Sequence, residues 1–289
     1  MRRGMIAFTI LALQCSVFAQ SGSLSSTQEQ SSAHIQQTIV EPGTSTQPAS
    51  QTCYYPFTSG SGNTYLYYCI TPNANITYLE TPHGYAQINH TLPYPPDGGE
   101  GYGICDATAV TAYFDYAYED SGNWGPISIV SQTATVMKFA RTTSDGVWTL
   151  TQTISQVPSG PSVKLAMVLK NNTSVARTAY LIRYANIDAD NFQFNYGDGT
   201  TNSAFIWIPM QNAATLPKSN GLALQNVGTP TFTQWGAFVQ TTAFGPNPCA
   251  FANNWTYGPS YADFSAVLAA VGTVRAKGSR TLTVSYKGL

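Results

Sequence analysis

An all-β fold is what this sequence predicts: an antiparallel β-sandwich, one domain over residues 53–289, after a disordered N-terminal segment. Three observations carry that expectation. Runs of β-branched and aromatic residues recur at short intervals, bounded by Gly, Pro, Asn and Ser clusters. No strand–helix alternation and no repeat of roughly 20–50 residues is visible, so neither a parallel α/β sheet nor a solenoid fits. Residues 53–69 also read as a hairpin closed by a disulfide.

The elements follow in chain order. Met1–Arg3 carries two arginines, Met5–Leu13 is apolar, and Val17-Phe18-Ala19 precedes Gln20. That is the layout of a secretory signal peptide over residues 1–19, and it predicts a secreted, extracellular or periplasmic protein. The apolar run is about half of the ~20 residues a membrane span needs, so no span is expected. Gln14 before Cys15 departs from the Leu-x-small-Cys pattern of lipid-modified cysteines. Residues 20–52 are rich in Ser, Thr and Gln. They cannot bury enough apolar surface to offset the entropy of ordering, and they read as a disordered linker.

Cys53–Cys69 reads CYYPFTSGSGNTYLYYC, two aromatic runs about a Ser-Gly-Ser-Gly-Asn turn. Folding it about Ser61 sets Tyr55 opposite Tyr67 and Cys53 opposite Cys69, close enough to bridge. Cys105 and Cys249 then form a second, long-range disulfide. An exported chain keeps both oxidised. Further strands are expected at Thr111–Glu119, Ile127–Ala140, Val147–Val157, Val163–Lys170, Val175–Asn186, Ala204–Ile208, Gly221–Val227, Thr231–Thr241, Tyr261–Val274 and Thr281–Tyr286. The stretch VKLAMVLKNNTSVARTAYLIRYANID, Val163–Asp188, resembles the strand–turn–strand unit of bacterial extracellular β-sandwich modules. That resemblance implies a sandwich and no particular function.

Charged residues make up only 9% of the chain, against about 25% in an average soluble domain. Ser, Thr, Asn, Gln and Tyr solvate the surface instead. Without clustered Lys and Arg, a nucleic-acid partner is excluded. The charge is also uneven. No Lys or Arg falls between Gly4 and Met137, where nine carboxylates lie, while Lys138–Leu289 carries eleven bases and five acids. A fold that threads both halves through the same sheets would cancel this asymmetry in space.

Four constellations suggest chemistry. Asp188, Asp190, Asn195 and Asp198 place carboxylate and amide oxygens within one stretch, the donor type a Ca²⁺ ion takes. It is not an EF-hand, because Phe192 and Gln193 stand where that loop needs an oxygen donor and Gly. Twelve of the 18 tyrosines lie between Tyr54 and Tyr118. Tyrosine offers an apolar face and a polar tip, and Tyr85, Tyr102 and Tyr113 are the ligand-binding candidates. Glu100, in the Gly-rich stretch Gly98–Gly103, could pair with Asp106 as the two carboxyls of a glycoside hydrolase or lyase. His83 sits in a Thr-Pro-His-Gly turn near Tyr85, and no G-x-S-x-G elbow occurs. The leading expectation is non-catalytic binding of a polysaccharide or a surface protein, with Ca²⁺ as a possible cofactor. A carbohydrate-active enzyme using Glu100, and a purely structural extracellular component, are the alternatives.

Overall fold

The computed structural model describes residues 53–82, 86–89, 99–117, 119–192, 194–208, 220–240, 247–250, 255–256 and 260–289. The signal-peptide and linker expectations, and Tyr85 with His83, lie outside these residues. The fold is all β, in three antiparallel sheets. The first sheet is β1 (Tyr55–Ser59), β2 (Leu66–Ile70), β3 (Ile76–Glu80) and β4 (Ala86–Asn89), in that order.

The rest of the chain builds two larger sheets. Its strands are β5 (Glu100–Asp106), β6 (Thr111–Asp115), β7 (Trp124–Gln132), β8 (Val136–Thr143), β9 (Trp148–Val157) and β10 (Ser162–Asn171). They continue with β11 (Arg177–Asn186), β12 (Asn195–Thr200), β13 (Ser203–Ile208), β14 (Asn220–Asn226) and β15 (Gln234–Gln240). The last are β16 (Trp255–Thr256), β17 (Ser260–Ala262), β18 (Ser265–Val274) and β19 (Ser279–Gly288). One sheet has nine strands in the order β17-β12-β13-β14-β19-β10-β9-β8-β7, and the other six, β16-β15-β18-β11-β5-β6.

Period-two patterning explains how the sheets meet. Along β10, Val163, Leu165, Met167 and Leu169 are buried while Lys164 and Lys170 face solvent. Inward residues of the nine-stranded sheet (Leu165, Ile206, Leu224), the six-stranded sheet (Ile104, Leu181, Leu268) and the small sheet (Leu66, Tyr68, Leu79) form one apolar core. A smaller cluster of Tyr116, Ile182, Tyr184, Phe238 and Val267 covers the other face of the six-stranded sheet.

Both disulfides form as the sequence suggests: Cys53–Cys69 with Cα atoms 5.5 Å apart, and Cys105–Cys249 at 5.0 Å. The hairpin register differs. Tyr55 pairs with Ile70, and Thr58 with Tyr67. A single 3-10 turn at Gly62–Thr64 moves the centre of the hairpin from Ser61 to between Gly62 and Asn63. The Ser61 N–H donates to Thr64 Oγ1 at 3.2 Å, and the Thr64 hydroxyl returns a bond to the Ser61 carbonyl at 3.0 Å.

Two further expectations are corrected. Ile127–Ala140 is not one strand but the hairpin β7–β8, because Thr133 Oγ1 accepts the N–H groups of Thr135 and Val136 at 3.3 and 3.1 Å. That is a turn made without Gly or Pro. The glycine-rich stretch around Glu100, which composition alone would make a flexible loop, is strand from Glu100 on: Glu100–Asp106 form β5, paired with both β11 and β6. The glycines there serve close approach. A Cβ on Gly103 would meet Pro248 Cγ at 2.6 Å and the Tyr116 hydroxyl at 2.7 Å, and one on Gly101 would collide with the Asp115 carbonyl.

Gly101→Ala is therefore expected to cost on the order of 2–3 kcal/mol in urea unfolding. Gly160→Ala, whose Cβ meets nothing within 4 Å, should stay within about 0.5 kcal/mol of wild type. Equal midpoints for the two variants would contradict this packing.

Candidate functional site

Strand pairing sets an aromatic surface at one edge of the nine-stranded sheet. In β12 the residues Asn195 and Gly197 point inward and are buried, which turns Tyr196 and Asp198 outward. In β13, Ala204 and Ile206 are buried, which turns Phe205 and Trp207 outward. Tyr196 pairs directly with Trp207 on one side and with Tyr261 of β17 on the other. Three aromatic side chains therefore stand in register across three strands at the edge of the nine-stranded sheet.

The rings follow this order. Tyr196 lies 5.0 Å from Tyr261 and 6.0 Å from Trp207, centroid to centroid, the latter pair inclined by only 23°. Phe194, just before β12, adds a fourth ring 6.2 Å from Tyr261 at 30°. Tyr261 is 61% exposed and Phe194 52%. Gly221 of β14 pairs with Trp207. A Cβ there would lie 2.7 Å from the Trp207 Cβ, so glycine lets β14 close against the tryptophan. Asp198 lies two residues along from Tyr196 on the same face, and its Oδ1 accepts the Gly199 N–H at 2.7 Å. The arrangement offers a row of aromatic faces, with Tyr196 and Trp207 near-parallel and Tyr261 turned 52° from Tyr196, and a carboxylate at its side.

Of the residues singled out in the sequence, Asp198 borders this row and the other described ones do not. Tyr102 and Tyr113 are core residues, 0% and 2% exposed, so neither presents a ring face to a ligand. The Tyr102 hydroxyl donates to the Asn73 carbonyl at 2.9 Å, and that of Tyr113 to Asp145 at 2.6 Å. The proposed Ca²⁺ donors do not gather as one set. Asn195 and Asp198 are three apart on one strand and so face opposite sides. Asn195 is buried as a loop clamp: its Oδ1 accepts the Ala189 N–H at 3.1 Å, and its amide donates to the carbonyls of Ile187 and Phe192. Asp190, at φ 54°, accepts from Asn220 at 2.5 Å. Asp188 leads into the 3-10 turn Ala189–Asn191. Among the described residues no three His, Cys, Asp or Glu side chains gather as a metal set.

Glu100 and Asp106 are both buried in ion pairs. Arg183 Nε donates to Glu100 Oε1 at 2.5 Å, with Nη2 also in the pair. Tyr286 adds a bond to Oε1 and the Ile76 N–H one to Oε2, each at 2.6 Å. Burial pushes the Glu100 carboxyl up, against the opposing pull of Arg183 and these donors. Asp106 accepts from Arg177 at 2.5 Å and from the Trp148 indole at 3.2 Å. A third pair joins Arg141 to Asp115 at 2.7 Å, with Asp120 3.6 Å away and the Trp124 ring 5.4 Å from the guanidinium. Burial, then the neighbouring Asp115 charge, push the Asp120 carboxyl up to about 7.

No family model and no curated protein matches the chain. Among solved structures it is similar to a bacterial glucoamylase complexed with acarbose, at TM-score 0.49 and 12% identity, over 87% of this chain and 34% of that one. It is also similar to a polysaccharide lyase, at TM-score 0.46 and 11% identity, over 79% and 33%. A galactose mutarotase related enzyme from Lactobacillus acidophilus follows, at TM-score 0.38 and 10% identity, over 81% and 97%. The chain spans about a third of the length of the first two. All three TM-scores lie under 0.5.

Breaking a buried pair leaves an uncompensated charge, so Arg183→Met is expected to cost about 3–5 kcal/mol. Combining it with Glu100→Gln should cost less than the sum of the two singles by about 1–3 kcal/mol. Additive losses in chemical denaturation would mean that the two residues do not act as a pair. The raised carboxyl of Asp120 makes folding favour its protonated form. Its contribution is full below the ordinary value of 3.8 and is lost as the pH rises through about 7. Asp120→Asn should therefore flatten the fall in Tm across that window, and an unchanged pH profile would count against the assignment.

Proposed function

We propose that the protein is a non-catalytic glycan-binding β-sandwich whose platform is the row Tyr261–Tyr196–Trp207, extended by Phe194. One observation carries the reading: three aromatic rings in register on the outer side of adjacent strands, with centroids 5.0 and 6.0 Å apart. The electron-rich faces of such rings suit the polarised C–H faces of sugar rings. The phenol hydroxyls and the Trp207 N–H lie at the ring edges, where sugar hydroxyls would fall. Asp198 beside the strip accepts hydrogen bonds and repels carboxylates, so the ligand is a neutral chain rather than a polyuronide. Non-catalytic binding is favoured over hydrolysis because Glu100 and Asp106 are each 0% exposed and engaged by arginine.

Affinity electrophoresis in gels containing neutral polysaccharides (cellulose derivatives, xylan, mannan, starch), with pectate as the acidic comparison, tests this. Retardation is expected in at least one neutral gel and not in pectate. Tyr261→Ala, at a largely exposed position that disturbs the fold least, and Trp207→Ala should each weaken it by about tenfold. No retardation in any neutral gel, or equal retardation of wild type and both variants, would overturn the reading.

A further inference from the structure

A second concave surface lies on the outer side of the four-stranded sheet, built from other strands than the aromatic row. It is a hollow of about 560 Å³ lined by Cys53, Tyr65, Tyr67, Cys69, Tyr78 and Glu80. Register explains the lining. Tyr68 pairs with Leu79, and both face the core at 0% exposure. The alternate pairs Tyr67–Glu80 and Cys69–Tyr78 therefore face outward. The disulfide Cys53–Cys69 ties Cys53 to this surface.

The hollow combines aromatic walls with one acid. The Tyr67 and Tyr78 rings stand 5.5 Å apart at 73°, forming a corner rather than a flat strip. Tyr65 lines the same space. The Tyr78 hydroxyl donates to Glu80 Oε2 at 3.4 Å. The phenols of Tyr65 and Tyr78 are pushed up, first by burial and then by the Glu80 charge, so both stay neutral donors. No Lys or Arg occurs between Gly4 and Met137, and none of the ion pairs among the described residues involves Glu80.

We propose that this hollow is a binding site for an organic ammonium group, of the quaternary or methylated-amine type, held between the Tyr67, Tyr78 and Tyr65 rings and balanced by Glu80. Ring faces attract a cation through their quadrupole, most strongly one that sheds its water easily, and converging rings are how such groups are caged. A single carboxylate cannot satisfy the six to eight oxygens of a hard metal ion. An anion would meet Glu80, and a sugar ring would find no flat face at a 73° corner.

The test titrates the full chain with tetramethylammonium chloride, with sodium chloride at matched ionic strength, and with tert-butanol as a neutral molecule of similar shape. The readout is NMR shifts of the tyrosine ring protons. Saturable shifts at Tyr65, Tyr67 and Tyr78 are expected with tetramethylammonium alone. Glu80→Gln, a conservative change that keeps the sheet, should weaken binding by about fivefold, and Tyr67→Leu by more. Trp207→Ala should leave it unchanged, so failure here and failure of the glycan reading are separable. Equal binding of tert-butanol, equal binding by the Glu80→Gln variant, or no saturable shift at these tyrosines would overturn the proposal.

Discussion

The contact between Glu100 and Arg183 is the constraint on which the rest of the structure turns. Both side chains are fully buried, and together they touch all three sheets. Arg183 lies on β11 and Glu100 on its neighbour β5, in the six-stranded sheet. Across the core, Arg183 reaches Gln152 of β9 at 2.7 Å, and Tyr286 of β19 reaches Glu100. From the small sheet, the Ile76 N–H of β3 closes on Glu100. A charge placed there must find every one of these partners, because leaving it unpaired costs several kcal/mol. A buried pair adds little net stability over apolar residues of the same shape. Its effect here is on relative placement, since only one alignment of the three sheets satisfies it.

The other buried pairs follow the same rule, and together they account for the charge pattern of the chain. Glu100, Asp106 and Asp115 come from the half without bases. Arg183, Arg177 and Arg141 come from the half that holds all the bases beyond Arg3. The asymmetry that is plain along the sequence is cancelled inside the fold by contacts spanning 26 to 83 positions. With so few charges in the chain and three arginine–carboxylate pairs inside it, the outer face of the nine-stranded sheet keeps Lys138, Lys164, Lys170 and Lys287 among mostly neutral side chains. Its middle strands present Thr149, Thr151 and Thr153 on β9 and Thr281 and Thr283 on β19, all half-buried, on either side of β10 with its exposed Lys164 and Lys170. Toward β17 that polar face gives way to the aromatic row. Binding on that row depends on ring faces and hydroxyls.

Much of the fold was legible in the sequence because it rests on local signals. Strict alternation in β9 and β10 gives their faces directly, and the spacing of Cys53 and Cys69 gives their bridge. What failed depended on partners far along the chain. Glycine in β5 reads as flexibility until Asp115 and Pro248 are seen pressing on Gly101 and Gly103. Tyr102 and Tyr113 read as surface aromatics until both rings are seen buried, the Tyr102 hydroxyl bonded in the core to the Asn73 carbonyl and that of Tyr113 reaching out to the exposed Asp145. The aromatic row has a signal in the sequence. Folding Asn195–Ile208 about Thr201-Asn202 sets Tyr196 opposite Trp207, but the acidic residues of the same stretch suggested a metal loop instead. Tyr261 could not be added from sequence, because β17 joins β12 across more than 60 intervening positions.

The central claim is that the solvent-facing aromatic row, and not the buried carboxylates, meets a glycan. Indole resonances of the tryptophans during titration with a neutral oligosaccharide, chosen from whichever polysaccharide retains the protein, test it most directly. The account expects the Trp207 N–H signal to move and saturate, while that of Trp148, which is bonded to Asp106 in the core, stays fixed. A shift confined to Trp148, with Trp207 unmoved, would place the ligand at the buried acids and contradict it.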